Sequence, residues 1–388
     1  MTPDFDVVVI GAGIHGTGIA QAVAAAGHTV CIVEQRHPAA GTSSKSSKLI
    51  HGGLRYLESG QLSLVRHSLA ERNLLLRIAP GLVHALPMHI PVYRGMRRTP
   101  WLIRAGLSAY AVLGKLDRSV RFSSVPSSEW DSLDGLSTDG LRAVFRYAEA
   151  QTDDAALTRA VLNSATALGA RVRMPAEFIE AEPGAAGIDC TIREGGRDSV
   201  LRARVLVNAA GPWAAAVAAR IRPVRAPPAM ELVKGSHVEY EGAPARGAFY
   251  IEAPQDGRAV FVLPYGNRTL VGTTEVPYRG DPAEVGASDD ERVYLHEAFA
   301  RCFPARAGAQ QVDAWAGLRV LPAAATDAFN RPRDTVFDLD DRRRPTMLAI
   351  YGGKLTTWRT TARHALRLLA PSLPPAARVA DTATLPLG

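Results

Sequence analysis

The chain has 388 residues, 47% of them hydrophobic and 21% charged, and its 45 Lys and Arg outnumber 38 Asp and Glu for a net charge of +7. That balance describes a globular enzyme with room for two lobes and excludes a disordered or fibrous chain. The arginines are spread rather than clustered, which argues against nucleic acid, while the basic excess suits an anionic substrate or an acidic membrane surface. Cys31, Cys190 and Cys302 are far apart and match no zinc spacing, so no metal is expected, and the reducing cytoplasm is. No run reaches the ~18 apolar residues of a spanning helix.

Residues 6–10 read as a buried strand entering Gly11, Gly13 and Gly16, followed by a helix over 19–26, a second strand over 29–33 and Glu34. Gly11 permits the tight turn, Gly13 the approach of a pyrophosphate, and Gly16 close helix–strand packing. The helix N-terminus offers N–H groups to phosphate, and an acid about 20 residues on suits ribose hydroxyls. The next loop, Thr42 to Leu57, holds four serines, two lysines, a His, a Gly pair and an Arg. That density of donors suits a phosphorylated cofactor on one side and an anionic substrate on the other.

Residues 62–79 read as an amphipathic helix with Leu62, Val65, Leu69 and Leu76 in an apolar stripe and Arg66, Glu71 and Arg77 elsewhere. A strand is expected over 88–93. Residues 96–116 read as an apolar helix with basic flanks, either at a lipid interface through Trp101 and Tyr110 or buried against a substrate lobe. Residues 119–141 read as a connector. A helix over 155–168 capped by Asp153 or Asp154 precedes a strand at 171–174 and a meander over 177–204, with a hairpin turn at 193–197. A strand from Val205 ends in the small residues Ala210 and Gly211. Residues 231–280 are strand-rich, 289–303 helical and 314–321 extended. Residues 347–358 read as a strand, a glycine turn and a helix start, the helix continuing over 360–369.

Six segments carry a resemblance: TSSKSSKLIHGGLRYLE from Thr42, NAAGPW from Asn208, KGSH from Lys234, FVLP from Phe261 with VGTT from Val271, GLR from Gly317, and GGKLTTWR from Gly352. In this order the chain resembles the FAD-dependent, quinone-linked (aerobic-type) glycerol-3-phosphate dehydrogenase family and its oxidase relatives, as a short form without the helical C-terminal domain of longer members. The resemblance implies an α/β fold: a Rossmann-like FAD-binding domain of the glutathione-reductase and D-amino-acid-oxidase type, with an antiparallel-sheet substrate domain. The FAD domain is expected over 1–85, 145–228 and 330–388, and the substrate domain over 86–144 and 229–329.

The implied reaction is oxidation of sn-glycerol 3-phosphate to dihydroxyacetone phosphate, with hydride passing from C2 to flavin N5 and electrons to quinone. Alternatives are a dehydrogenase or oxidase of another hydroxy acid or phosphorylated polyol, and a non-catalytic flavoprotein sensor. His51 is the first candidate base and His237 the second, since imidazole titrates near neutral pH. Arg55 and Arg319 are the phosphate candidates because a guanidinium binds two oxygens at once. Lys354 is placed at the flavin edge or the substrate oxygen, with Tyr56, Thr273 and Thr274 lining the pocket. The expected FAD contacts are Gly11, Gly13, Ile14, His15, Gly16, Glu34, Gln35, Thr42, Ser43, Ser44, Ser46, Lys48, Leu49, His51, Gly53, Phe178, Ala210, Gly211, Trp213, Gly353, Lys354, Leu355 and Thr356. The expected location is cytoplasmic, with the inner face of the cell membrane as the alternative.

Overall fold

The apolar run after Asp4 forms β1 (Phe5–Ile10), the glycine turn leads into α1 (Ile14–Ala25), and β2 (Val30–Val33) returns beside β1 in parallel. The computed structural model describes residues 2–58, 60–185, 187–323 and 335–388. The helix begins at Ile14, five residues earlier than the sequence suggests, so Gly16 and Gly18 lie inside it. Their cost to helix propensity is offset by packing. A Cβ on Gly16 would overlap the Gly11 carbonyl, and one on Gly18 would lie 2.6 Å from the Trp358 ring.

The chain continues through β3 (Leu49–Ile50), α2 (Leu62–Ile78), β4 (Val83–Tyr93), α3 (Pro100–Leu113), β5 (Ser123–Ser124) and β6 (Leu141–Thr152). Then come α4 (Asp154–Ala167), β7 (Arg171–Arg173) and the meander β8 (Glu177–Gly184), β9 (Gly187–Glu194) and β10 (Arg197–Asn208). The short α5 (Ala214–Ala218) leads to β11 (Met230–Glu241), β12 (Ala248–Glu252), β13 (Ala259–Tyr265), β14 (Arg268–Gly272) and β15 (Val276–Tyr278). The last elements are α6 (Asp289–Cys302), β16 (Gln311–Pro322), β17 (Val336–Leu339), β18 (Met347–Tyr351) and α7 (Trp358–Leu369).

Among the described residues these strands form two sheets. The first runs β17-β18-β10-β1-β2-β7, with β18, β10, β1, β2 and β7 parallel and the meander attached through β10. The second runs β15-β11-β14-β13-β12-β4-β6-β3, with β16 along β11 and β5 along β6. It is antiparallel except where β12 meets β4. The strands β4 and β6 each pass from one expected domain to the other, and the expected boundary at 329/330 lies outside the described residues. The first core sits between the parallel sheet and α1, α4 and α7, and is built from Val7, Val9, Ile19, Val23, Ile32, Val207 and Leu348, all fully buried. Each such side chain contributes ~1.5–3 kcal/mol of burial.

Several sequence expectations change. The strand expected at 88–93 starts at Val83, β6 appears where no strand is expected, and β12 adds a strand within the strand-rich stretch 231–280. The β6 signal is hidden by Glu149 and Gln151, polar residues that are buried because they are paired. In α2 the stripe is rotated: Leu62 is exposed, whereas Glu71 is buried against Arg359 at 2.6 Å and Arg72 is buried against Glu149 at 3.0 Å. The connector over 119–141 contains 3-10 turns and β5. On α3, Ile103, Leu107 and Tyr110 face inward while Trp101, Leu102 and Val112 are exposed. No helix among the described residues is long and apolar enough to cross a membrane.

Gly16→Ala tests how tightly β1 and α1 are pressed together. Relieving the overlap with Gly11 should cost about 1–3 kcal/mol in chemical denaturation. An unchanged stability would mean that α1 has room to shift.

Candidate functional site

A single cleft runs from the ends of β1 and β2 across to β11, β13 and β16 of the second sheet. At its first-sheet end Gly11 sits at φ +102°, and a Cβ there would lie 2.8 Å from the carbonyl of Ala209 after β10. Gly13 caps α1 without a side-chain bond, and the first turn of the helix carries no acid. The N-terminal N–H groups and the helix dipole therefore face the cleft without an internal anion. Glu34 follows β2, its carboxylate accepting from Ala12 N–H and Arg36 N–H, each at 2.9 Å. Ser43 Oγ accepts from Ile14 N–H at 2.9 Å, bringing the serine loop onto the helix start.

These features fit FAD. The glycine cradle leaves space where a Cβ on Gly11 would meet backbone and one on Gly13 the Ser43 hydroxyl, and His15 adds a second observation. Its ring is half-buried in the first turn of α1, with Nδ1 itself shielded from solvent and lacking a hydrogen-bond partner among the described residues. Burial pushes its pKa down to about 4, so the ring is neutral and can offer a hydrogen bond to a cofactor. A Cβ on Gly353, itself at φ +97°, would overlap the His15 ring, so the β18–α7 turn and the α1 N-terminus are fitted to each other.

The serine loop is fastened to α4. Asp154 is fully buried, and its Oδ2 accepts from Ser46 N–H and Oγ–H at 2.9 and 2.7 Å. Its Oδ1 accepts from Lys48 Nζ at 2.6 Å. The neighbouring Asp153 caps α4 by accepting from Ala156 N–H at 2.8 Å. Beyond β3, which pairs with β6, the chain carries His51 to the middle of the cleft, where its N–H donates to Thr356 Oγ1 at 3.2 Å. The two motif segments around His51 and Lys354 are thereby joined. The Lys354 ammonium lies 3.7 Å from the centroid of the Tyr56 ring, and the Arg55 guanidinium 5.6 Å from the same ring. Arg319 on β16 donates to Glu275 Oε1 at 2.7 Å, and Arg55 Nη2 lies 3.6 Å from that same oxygen.

Of the expected site residues, all line this cleft except Gly16, Ser44, Lys48 and Thr274. Gly16 acts from beneath by permitting the helix–strand contact. Lys48 is drawn inward because a buried ammonium needs a counter-ion, and Asp154 with the Ser44 carbonyl supplies it. The Ser44 hydroxyl donates back to Gly41. The Thr274 hydroxyl donates to Glu291 at 2.6 Å and accepts from Ser236 N–H at 2.9 Å, so it braces β11 instead of facing substrate. Ser46 borders the cleft, but its hydroxyl is committed to Asp154. His237 also departs from its expected part. Its Nε2 is 2.9 Å from Ser47 Oγ and its ring stacks on Trp315 at 4.2 Å. Burial, reinforced by Arg319 and Lys48, holds its pKa well below the ordinary value, which makes it a poor proton acceptor.

Among the lining residues that the sequence does not single out for the site are the charged Glu149, Arg258 and Glu275. Glu275 directly follows the VGTT segment, so a carboxylate beside a phosphate motif was the available signal. Glu149 gave none, because its partners Arg72, Tyr110 and Gly52 come from distant segments.

Comparison with known proteins agrees with this geometry. The family model described as FAD dependent oxidoreductase matches residues 6–359. The chain is 39% identical over 384 residues to a Pseudomonas aeruginosa protein named glycerol-3-phosphate dehydrogenase, covering 95% of this chain and 72% of that one. It is 34% identical over 378 residues to the D-erythritol 1-phosphate dehydrogenase of Brucella abortus, covering 94% and 73%. The Bacillus halodurans glycerol-3-phosphate dehydrogenase complexed with FAD superposes with a TM-score of 0.73 at 25% identity, covering 99% of this chain and 67% of that one. With its glycine cradle, its paired sheets and these relatives, the chain belongs to the FAD dependent oxidoreductase family.

Proposed function

We propose that the protein oxidises sn-glycerol 3-phosphate to dihydroxyacetone phosphate and passes the electrons to quinone. The observation that carries this reading is the meeting of Arg55, Arg319, Lys354 and His51 in one cleft whose other end is built for FAD. The name shared by the Pseudomonas and Bacillus relatives supports the substrate. The segments 1–85, 145–228 and 330–388 are assigned to the cofactor domain and 86–144 and 229–329 to the substrate domain, with His51, Arg55, Tyr56 and Lys354 reaching from the first to the substrate.

Bound FAD supplies a two-electron acceptor for the C2 hydride. The chain's residues do the rest. Arg55 and Arg319 bind the phosphate dianion through charge-assisted hydrogen bonds. Tyr56, whose ring lies beside both Arg55 and Lys354, steadies the two cations through its π-face. His51 takes the proton of the C2 hydroxyl, and Lys354 stabilises the negative charge that develops on that oxygen. The ring of Phe261 lies 6.4 Å from that of His51 and packs edge-on against Tyr250, so the two aromatics form the apolar wall beside it. A second reading, a four-carbon polyol phosphate such as D-erythritol 1-phosphate, is favoured by the Brucella relative. For membrane contact, the exposed Trp101, Leu102 and Val112 of α3 form the apolar face, with Arg97 and Lys115 flanking the helix.

Anaerobic addition of sn-glycerol 3-phosphate to the yellow holoenzyme should bleach the oxidised-flavin absorption, and a soluble quinone should restore it without peroxide. Bleaching only by the four-carbon phosphate would move the assignment to that substrate, and none by either would discard the reaction. Two variants separate the roles. Arg319→Ala should weaken substrate binding by on the order of 2–4 kcal/mol, read as a raised KM. His51→Asn should keep FAD while slowing flavin reduction by roughly 10²–10⁴. A normal KM in the first or a normal reduction rate in the second removes that residue from its role. Sedimentation with anionic liposomes should carry the wild-type protein down and leave Trp101→Ser in solution, and equal partition of the two would end the α3 assignment.

A further inference from the structure

The cleft contains a carboxylate where its substrate's anion is expected to bind. Glu275 is buried, and its Oε1 lies 2.7 Å from Arg319 Nη1 and 3.6 Å from Arg55 Nη2. A third guanidinium, that of Arg258, donates to the Glu275 carbonyl at 3.2 Å. All four residues line the same cleft. Arg319 is further held by the Thr274 carbonyl, to which its Nη2 donates at 3.0 Å, and a Cβ on Gly235 would lie 2.5 Å from the same Nη2. Arg319 is therefore kept in position by backbone as well as by Glu275.

We propose that Glu275 is a built-in competitor of the substrate phosphate: its carboxylate occupies guanidinium donors of Arg319 and Arg55 in the free enzyme and gives them up when a phosphate dianion arrives. This rests on the reading of Arg55 and Arg319 as the phosphate site. The physical basis is the charge of the cluster. Arg258 is already paired with Asp256 at 3.3 Å, so Arg55, Arg319 and Glu275 together carry a formal charge of about +1, and the release of Glu275 opens about +2 to an arriving phosphate dianion. Without the carboxylate the two guanidiniums would carry about +2 at all times and would hold any multivalent anion more tightly, inorganic phosphate and the phosphorylated product included. With it, a single weak anion gains little over the contact that Glu275 already makes, and the product's phosphate leaves against a carboxylate ready to take its place. The residue thus sets how strongly the site holds phosphates, whereas the guanidiniums set that it holds them at all.

The opposite possibility is that Glu275 merely orients Arg319, and the two predict opposite signs. The experiment measures the Ki of inorganic phosphate against sn-glycerol 3-phosphate, followed by flavin reduction in the holoenzyme. For Glu275→Gln the Ki should fall by about tenfold or more, a full-charge effect at a partly exposed site. The off-rate of dihydroxyacetone phosphate should slow in parallel. An unchanged or raised Ki would overturn the proposal, because an orienting carboxylate can only weaken phosphate binding when lost. If the Gln variant does not retain flavin, Glu275→Asp carries the test. Its carboxylate is one methylene further back, and the Ki should fall by about threefold; no fall overturns the proposal. Arg319→Ala is the parallel control. Loss of phosphate inhibition there upholds the phosphate site on which the proposal stands. Undiminished inhibition there would overturn both, whereas an unchanged Ki in Glu275→Gln alone overturns only the role of Glu275.

Discussion

The buried carboxylate of Asp154 is the contact on which the rest of the site depends. It receives Ser46 through two bonds and Lys48 through a third, and it stands at the first residue of α4. The segment before it, β6, pairs with β3, and β3 leads directly to His51. One carboxylate therefore closes a circuit of serine loop, strand pair and helix. Replacing such a buried pair by well-packed apolar groups is often neutral for stability, whereas removing one partner costs about 3–5 kcal/mol. The value of Asp154 lies in geometry. It fixes where the donors of the loop go, so Ser43 is left to meet the start of α1 and His51 to enter the cleft.

The same economy governs the charges around the chamber. Arg72 and Glu149 are both buried, and Glu149 also accepts from Tyr110 Oη at 2.5 Å and from Gly52 N–H at 3.3 Å. Burial pushes the Glu149 carboxyl up and Arg72 pulls it back. A Cβ on Gly52 would overlap the Tyr110 hydroxyl, so this glycine is needed for the loop to lie against the network at all. The backbone next to His51 is thus supported by a fixed polar network, while the cations that face the chamber are steadied by softer partners, the Tyr56 ring and Glu275. On the roles proposed for them, a firmly held His51 and more adjustable cations suit a site where a proton moves over a short distance and a phosphate must both enter and leave.

How much of this was legible in the sequence follows from how local each cause is. The β1–α1–β2 unit was readable because its glycines, apolar runs and Glu34 act within some thirty residues. The meander over 177–204 was readable for the same reason: its turn and alternation are local. Lys48 and Ser44 were misplaced because their real partners, Asp154 and each other, could not be told from a phosphate by spacing alone. β6 was missed because Glu149 and Gln151 imitate surface residues until Arg72 and the Pro264 carbonyl are brought to them. His237 looks like a base because it sits in a motif, and only the fold reveals its stacking on Trp315 and the burial that, with Arg319 and Lys48, lowers its pKa.

The division between the two sheets also explains why one framework can serve relatives named for different polyol phosphates. The parallel sheet presents backbone: glycine turns, helix N–H groups and strand ends, which recognise a cofactor shared by the whole family and tolerate little change. The antiparallel sheet presents side chains from alternate positions of β11, β13 and β16, and these can be exchanged singly without moving a strand. Arg319 and Gly317 lie two apart on β16 and so point to one face. There a Cβ on Gly317 would overlap the Lys45 carbonyl, so the serine loop presses against the strand that holds Arg319. The distance between the glycine cradle and Arg319, the proposed phosphate anchor, is consequently fixed by backbone contact between the layers. Variation in substrate length must then be absorbed elsewhere, by the walls at Tyr250, Phe261 and Tyr147, whose replacement alters the chamber and leaves both ends in place.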